Sequence, residues 1–417
     1  MYYKRTIDKV LDDVEKVFES IVIYGPRQVG KSTTLAQRNN NIYRVVSLDD
    51  VQARKLANEN PEQFLKIYNP PVIIDEIQKA PDLLSYIKMY IDKYRLDTIK
   101  TNKKREHLFY LTGSQQFELQ QSVSESLAGR IGVLFMNSFS RYEILQKESK
   151  EFLPDIEVLL KTEREREKDK DSENVFKRIF NGGMPSIVVE NQDRDLYFQG
   201  YLNSYIEKDI KQLINVSLEH EYINFLSILA MRTGQQINYN DLSNAVGVDV
   251  RTIKRWLSIL ETSGMIILVQ PFFANISNSI IKAPKLFFMD TGLCAYLCKI
   301  PTAEFLENSM MAGAFYETYV VSEIYKSHYH NGKNPKWYLY YYRDTHQKEI
   351  DLIFYQMDKI TPIEIKKSVK PTRASKNFKV LEKYGKEITD GFVICRRNEI
   401  MPINNNVYEI PDTLIGL

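Results

Sequence analysis

The sequence predicts an α/β chain in four parts. These are a parallel sheet wrapped by helices around a phosphate-binding loop, a helical lid, a winged helix-turn-helix, and a C-terminal α/β module. Three observations carry that expectation. Residues 21–33 read I-V-I-Y-G-P-R-Q-V-G-K-S-T, an apolar run followed by the P-loop pattern G-x-x-x-x-G-K-[ST]. Up to about residue 136, apolar strand-like runs alternate with helix-compatible ones, the rhythm of a parallel sheet. Beyond residue 230 the rhythm becomes helix, tight turn, helix, strand, and a separate strand-rich stretch follows.

In chain order, Lys4–Ser20 predicts an amphipathic helix, with Ile7, Val10, Leu11, Val14 and Val17/Phe18 at helical spacing. The P-loop strand and a helix over Ser32–Arg38 follow. Gly25 and Gly30 let the backbone approach a phosphate where a Cβ would clash. Backbone N–H groups of the loop and of the next helix point at the anion. Lys31 supplies charge for the β- and γ-phosphates of a nucleotide, and the Ser32 hydroxyl supplies an oxygen for Mg²⁺. Tyr43–Leu48 reads as a strand ending in Asp49-Asp50, and Val51–Asn58 as a helix. Val72–Glu76, V-I-I-D-E, has the continuous apolar character of a strand buried on both faces. Its carboxylates fall at the C-terminal sheet edge, where open α/β sheets bind ligands. Asp75 is expected to hold Mg²⁺ through water, and Glu76 to polarise the attacking water; two solvated acids are the competing reading. His107–Ser114 is a further strand, whose Thr112 and Ser114 would reach the γ-phosphate or its water. Gly129-Arg130 precedes a fifth strand at Ile131–Phe135.

On G-P-R-Q-V-G-K-S-T, V-I-I-D-E-I-Q-K-A-P, L-T-G-S, L-A-G-R-I, S-F-S-R-Y-E and G-G-M-P at 182–185, the chain resembles bacterial and archaeal AAA-type ATPases with a C-terminal domain of unknown function. The resemblance implies ATP with Mg²⁺ as the ligands. It makes Gly25, Pro26, Arg27, Gln28, Val29, Gly30, Lys31, Ser32 and Thr33 the Walker A residues, and Asp75 and Glu76 the Walker B pair. Thr112–Ser114 becomes the sensor. Arg130 takes the place of an arginine finger, which would make the protein a homo-oligomer; an ordinary exposed arginine at a strand edge is the alternative.

Residues 137–230 are expected to form the lid. Within them lies an almost wholly charged connector at 161–173, then a turn at Gly182-Gly183, then a helix over Leu196–Ile214. Residues 231–290 hold the winged helix-turn-helix: helices at Asp241–Val246 and Val250–Thr262, and a strand at Met265–Phe273. Ile253, Trp256, Leu257 and Leu260 make its core face. Arg251, Lys254 and Arg255 lie on the face where a DNA reader would put them, although such modules also serve as plain interaction surfaces. Residues 291–417 form the last module. After a strand running into D-T-G-L-C and a helix, Met311–His330 reads as a helix, and Trp337–Tyr342, Glu349–Tyr355 and Lys359–Lys367 as strands. Asp351, Glu364 and Lys366 resemble the D…E-x-K core of the PD-(D/E)xK nucleases, with Glu317 as the upstream helix acid. The resemblance implies a restriction-endonuclease-like fold in which Glu317, Asp351 and Glu364 hold a metal and Lys366 acts on the attacking water. A solvated ion-pair cluster is the competing reading.

Composition narrows the rest. The 417 residues are 43% hydrophobic and 26% charged with net charge +2, so DNA binding would need a local patch. Three cysteines make no disulfide framework, and Cys294 and Cys298 on one helix face do not make a zinc site. No apolar run approaches a membrane span, and the N-terminus lacks the apolar core of a signal peptide, so a cytoplasmic protein is expected. Two functions fit: an ATP-hydrolysing protein acting on or with DNA and coupled to a metal-dependent nuclease tail, or a nucleotide-switched DNA- or protein-binding regulator with an inactive nuclease-like domain.

Overall fold

The computed structural model describes residues 2–39, 42–113, 126–165, 174–206, 218–272, 283–372 and 374–417. They divide into two compact units. One is Met1–Ser138 with Thr262–Gly264 and Tyr329–Gly332; the other is Phe139–Glu261, Met265–His328 and Lys333–Leu417.

The first unit is built on five strands: β1 (Ser20–Tyr24), β2 (Arg44–Ser47), β3 (Val72–Asp75), β4 (Phe109–Gly113) and β5 (Ile131–Phe135). Every pairing is parallel, in the order β2-β3-β4-β1-β5. The apolar runs of β1 and β4 are buried throughout, because helices cover both faces of a parallel sheet. Those helices are α1 (Ile7–Val14), α2 (Lys31–Arg38), α3 (Val51–Glu59), α4 (Pro61–Ile67) and α5 (Leu83–Thr101). Asp50 caps α3 by accepting from the Ala53 N–H at 2.8 Å, so the second acid of that pair is a helix start signal. One expectation is corrected: α1 ends at Val14 and not at Ser20. Ser20 is already in the ladder, opposite Phe109 and Ile131, and Val17 is 64% exposed. The chain leaves the helix early enough to enter its central strand, and that demand overrides the continuing apolar period.

The second unit opens with short helices: α6 (Arg141–Ile144), α7 (Ile156–Glu165), α8 (Val175–Asn181), α9 (Pro185–Val188) and α10 (Arg194–Tyr205). Helix α10 covers the first part of the helix expected over Leu196–Ile214; residues 207–217, like 166–173 of the charged connector, lie outside the described residues. Next come α11 (Glu219–Met231), β6 (Gln235–Gln236), α12 (Tyr239–Val246), α13 (Val250–Thr262), β7 (Ile266–Val269) and β8 (Lys285–Phe288). The three strands form an antiparallel sheet in the order β6-β8-β7. The strand expected over Met265–Phe273 stops at Val269. Pro271 has no N–H to give a ladder, and Gln270 and Phe272 bond to Tyr341 instead, at 3.0 and 2.7 Å.

After α14 (Thr291–Leu297) and α15 (Ala303–Asn308), the long α16 (Ala312–His330) leads into the tail sheet. Its strands are β9 (Leu339–Arg343), β10 (Glu349–Gln356), β11 (Lys359–Lys366), β12 (Glu387–Ile388), β13 (Gly391–Cys395), β14 (Met401–Asn404) and β15 (Val407–Pro411). Six run in the order β14-β15-β13-β11-β10-β9, with β12 beside β11. Strands β9, β10 and β11 form an antiparallel meander, and β13 joins β11 in parallel. The strand expected from Trp337 begins at Leu339, because Pro335–Trp337 make a 3₁₀ turn that leaves Trp337 68% exposed.

Candidate functional site

The P-loop joins β1 to α2. Gly25 has φ +151°, and a Cβ there would stand 1.8 Å from the Met136 carbonyl oxygen, so only glycine lets the loop pass this close to the chain leaving β5. Gly30 is left-handed, with φ 96° and ψ 19°, and turns the loop into α2. Lys31, 7% exposed, donates to the carbonyls of Gly25 and Pro26 at 2.8 and 2.7 Å. Its ammonium therefore lies within the bend of the loop, among Gly25, Pro26, Arg27, Gln28, Val29 and Gly30. A guanidinium fixes the loop from below: Arg5, 3% exposed, donates to the Val29 carbonyl at 2.8 Å and the Asn137 carbonyl at 2.6 Å. Arg5 carries no sequence signal, since its partners are backbone oxygens 24 and 132 residues away.

The sheet order sets β3 next to β4 and β4 next to β1, so three strand ends converge on the loop. Asp75, ending β3, accepts from the Ser32 hydroxyl at 2.8 Å and from the Thr112 hydroxyl on the same oxygen. A carboxylate and a hydroxyl held this close are the hard oxygen donors that Mg²⁺ takes beside substrate phosphates. Thr33 lies in the first turn of α2. Glu76 follows in a left-handed conformation, φ 60° and ψ 43°, which ends the strand, and its carboxylate accepts from the Gln78 side chain. A non-glycine residue in that conformation is uncommon and concentrates at functional sites. Ser114, expected beside Thr112, lies outside the described residues.

Arg130 precedes β5 and is held by a bidentate pair to Asp92 of α5, at 2.6 and 3.1 Å. That pairing holds the Asp92 carboxyl below its ordinary range. On α13, Ile253, Trp256, Leu257 and Leu260 are buried, while Arg251, Lys254 and Arg255 are exposed.

The four acid and lysine positions of the tail come together. Glu349 and Asp351 point to one face of β10, as period two requires, and Glu364 and Lys366 do the same on β11. Asp351 accepts from the Ile365 N–H at 2.8 Å, and Lys366 stands 2.6 Å from Glu364 and 3.4 Å from Asp351. Glu317 joins them from α16, through a residue that sequence reasoning missed. The Lys285 ammonium, from β8, lies 2.7 Å from Glu317, 2.5 Å from Glu349 and 3.6 Å from Asp351. Burial alone would lower the Lys285 pKa, but the three carboxylates overcome it and raise it. Burial pushes Glu317 up to about 8 and Glu364 up to about 7. The signal available in sequence was a lysine opening an otherwise apolar run, K-L-F-F.

The fold and the loop define the class of the first unit: it is a P-loop α/β domain with the residues of a Walker-type ATPase. Residues 17–145 match the family described as AAA domain, in agreement with that geometry. Residues 172–304 and 312–413 match two families described as domains of unknown function, DUF8612 and DUF4143. The uncharacterized proteins Mb2031c of Mycobacterium bovis and Rv2008c of Mycobacterium tuberculosis are each 25% identical to the chain over 357 residues, 84% of this chain and 71% of theirs. Among solved structures, the Walker-type ATPase PABY2304 of Pyrococcus abyssi is similar at 14% identity and a TM-score of 0.42, covering 71% of this chain and 96% of that one. Among the described residues, no helix is long and apolar enough to cross a membrane.

Proposed function

We propose that this protein binds ATP with Mg²⁺, hydrolyses it, and acts on or with DNA. One observation carries the ATPase reading: the Ser32 and Thr112 hydroxyls meet on a single oxygen of Asp75, at the end of a P-loop whose own carbonyls hold the Lys31 ammonium. In that arrangement Lys31 would leave its two carbonyls for the phosphates, Ser32 and Asp75 would hold Mg²⁺, and Glu76 would orient and deprotonate the attacking water. Magnesium, when bound, supplies charge neutralisation for the transferring phosphoryl group.

Support for the DNA reading comes from α12 and α13 followed by the β7 and β8 strand pair, the order of a winged helix-turn-helix. Arg251, Lys254 and Arg255 are exposed on α13 as a reader helix would have them. The tail follows the order helix, three-stranded meander, parallel strand, as in PD-(D/E)xK nucleases, with Glu317, Asp351, Glu364 and Lys366 clustered. A second reading, the nucleotide-switched regulator with an inactive tail, is favoured by the buried Lys285 among those acids. The testing experiment incubates purified protein with ATP, Mg²⁺ or Mn²⁺, and a panel of single- and double-stranded DNA, following phosphate release, DNA retention and strand length together. Phosphate release stimulated by DNA is expected. Absence of any ATP turnover would overturn the first reading, and slow single-turnover hydrolysis that DNA does not stimulate, with the DNA left intact, would select the second.

A further inference from the structure

A nuclease centre of this kind works by presenting several carboxylate oxygens to one divalent cation. Here the oxygens that would do so already face a cation of the chain itself. Glu317 Oε1 of the helix acid and Asp351 Oδ1 of the strand acid both face Lys285 Nζ, at 2.7 and 3.6 Å. The other Asp351 oxygen is taken by the Ile365 N–H and Lys366, and one Glu364 oxygen by Lys366. Only Glu364 Oε2 of this cluster is buried without a partner, and one oxygen is not a coordination set. Among the described residues, no three acid, histidine or cysteine side chains are arranged to hold a metal. Lys285 is itself 3% exposed, so its ammonium is a fixed part of the interior and not a surface charge that swings aside. Glu349, which Lys285 also holds at 2.5 Å, is paired in turn to Arg343 at 3.3 Å. Lys285, Lys366 and Arg343 thus face Glu317, Glu349, Asp351 and Glu364.

We infer that Lys285 stands in for the metal: its ammonium fills the cation position of the nuclease-like cluster and fastens β8 to α16 and β10, so that the tail holds together without a divalent ion. The residues therefore do not fit the metal that the family resemblance implies. The inference deepens the inactive-tail reading. Failure to cut DNA has many causes, so the test reads metal and melting and leaves both cleavage and ATP turnover aside.

Three full-length proteins are compared without nucleotide: wild type, Asp351→Asn and Lys285→Met. Mn²⁺ binding is followed by titration calorimetry, and melting temperature is recorded in EDTA and in millimolar Mn²⁺. Wild type should show no Mn²⁺ binding that Asp351→Asn removes, and the same melting temperature in both solutions. Lys285→Met leaves buried carboxylates without their cation, so it should melt lower than wild type in EDTA by roughly 5 °C or more. Mn²⁺ should return part of that loss. An Asp351-dependent Mn²⁺ site in wild type would overturn the inference, as would a Lys285→Met melt that EDTA leaves at the wild-type value or that Mn²⁺ leaves unmoved. If Lys285→Met does not fold, the comparison of wild type with Asp351→Asn still decides.

Discussion

Single residues divide here into those that would act on a ligand and those that only hold their place. Glu76 belongs to the first group: it follows the buried strand β3 and sits in a strained conformation beside the Ser32–Asp75 pair. Glu76→Gln should keep ATP binding and slow hydrolysis by roughly a hundredfold or more, since an amide cannot serve as a base. Phosphate release together with binding of a fluorescent ATP analogue checks both halves, and undiminished turnover would remove Glu76 from the role. Lys31→Ala should instead weaken binding itself, by about ten- to a hundredfold, the worth of a charge-assisted hydrogen bond. His107 belongs to the second group. It is buried beside Tyr43 and Tyr110, and burial lowers its pKa from 6.5 to about 3. The unfolded chain takes up a proton below pH 6.5 that the folded chain refuses, so this stability is complete above 6.5 and drains away as pH falls toward 3. The slope should be about 1.4 kcal/mol per pH unit, and His107→Phe should lose that part of the pH dependence in denaturant titrations.

At the scale of elements, β5 and α13 carry the two assembly questions. Arg130 opens β5 but is clasped by Asp92 on α5. If it serves a neighbouring subunit as a finger, it must leave that pair. Arg130→Ala should then bind ATP and hydrolyse it slower by roughly 10³-fold, and mixing it with Lys31→Ala should restore activity. A slow mutant without rescue, in a protein that sediments as a monomer with and without ATP, would leave Arg130 as a structural clasp. For α13, replacing Arg251, Lys254 and Arg255 together should weaken DNA binding. It should also flatten the slope of log affinity against log salt, by roughly one for each phosphate that the helix no longer neutralises. An unchanged slope would turn that face toward a protein partner.

The chain carries a P-loop on one sheet and a charge cluster on another. Ligand binding to the folded state alone stabilises it, by about 2.7 kcal/mol at a hundred times the dissociation constant. Mg²⁺ and a non-hydrolysable ATP analogue at that concentration should therefore raise the melting temperature of wild type and raise that of Lys31→Ala by about half as much or less; an equal shift in both would place the ligand elsewhere. What was legible in the sequence was local in origin. The P-loop, the carboxylates after V-I-I and the apolar face of α13 are read from residues a few positions apart, and local spacing survives folding. What only the tertiary structure decided was every pairing made across the chain. It closed α1 early because Ser20 was needed in a ladder, and it stopped β7 because Pro271 could not join one. It set Arg5 under the P-loop and Arg130 against Asp92. It carried Lys285 to Glu317, Glu349 and Asp351, which lie 32 to 66 residues further on. Pairing of charges at such separations depends on strand order and helix placement, which periodicity along the chain does not encode.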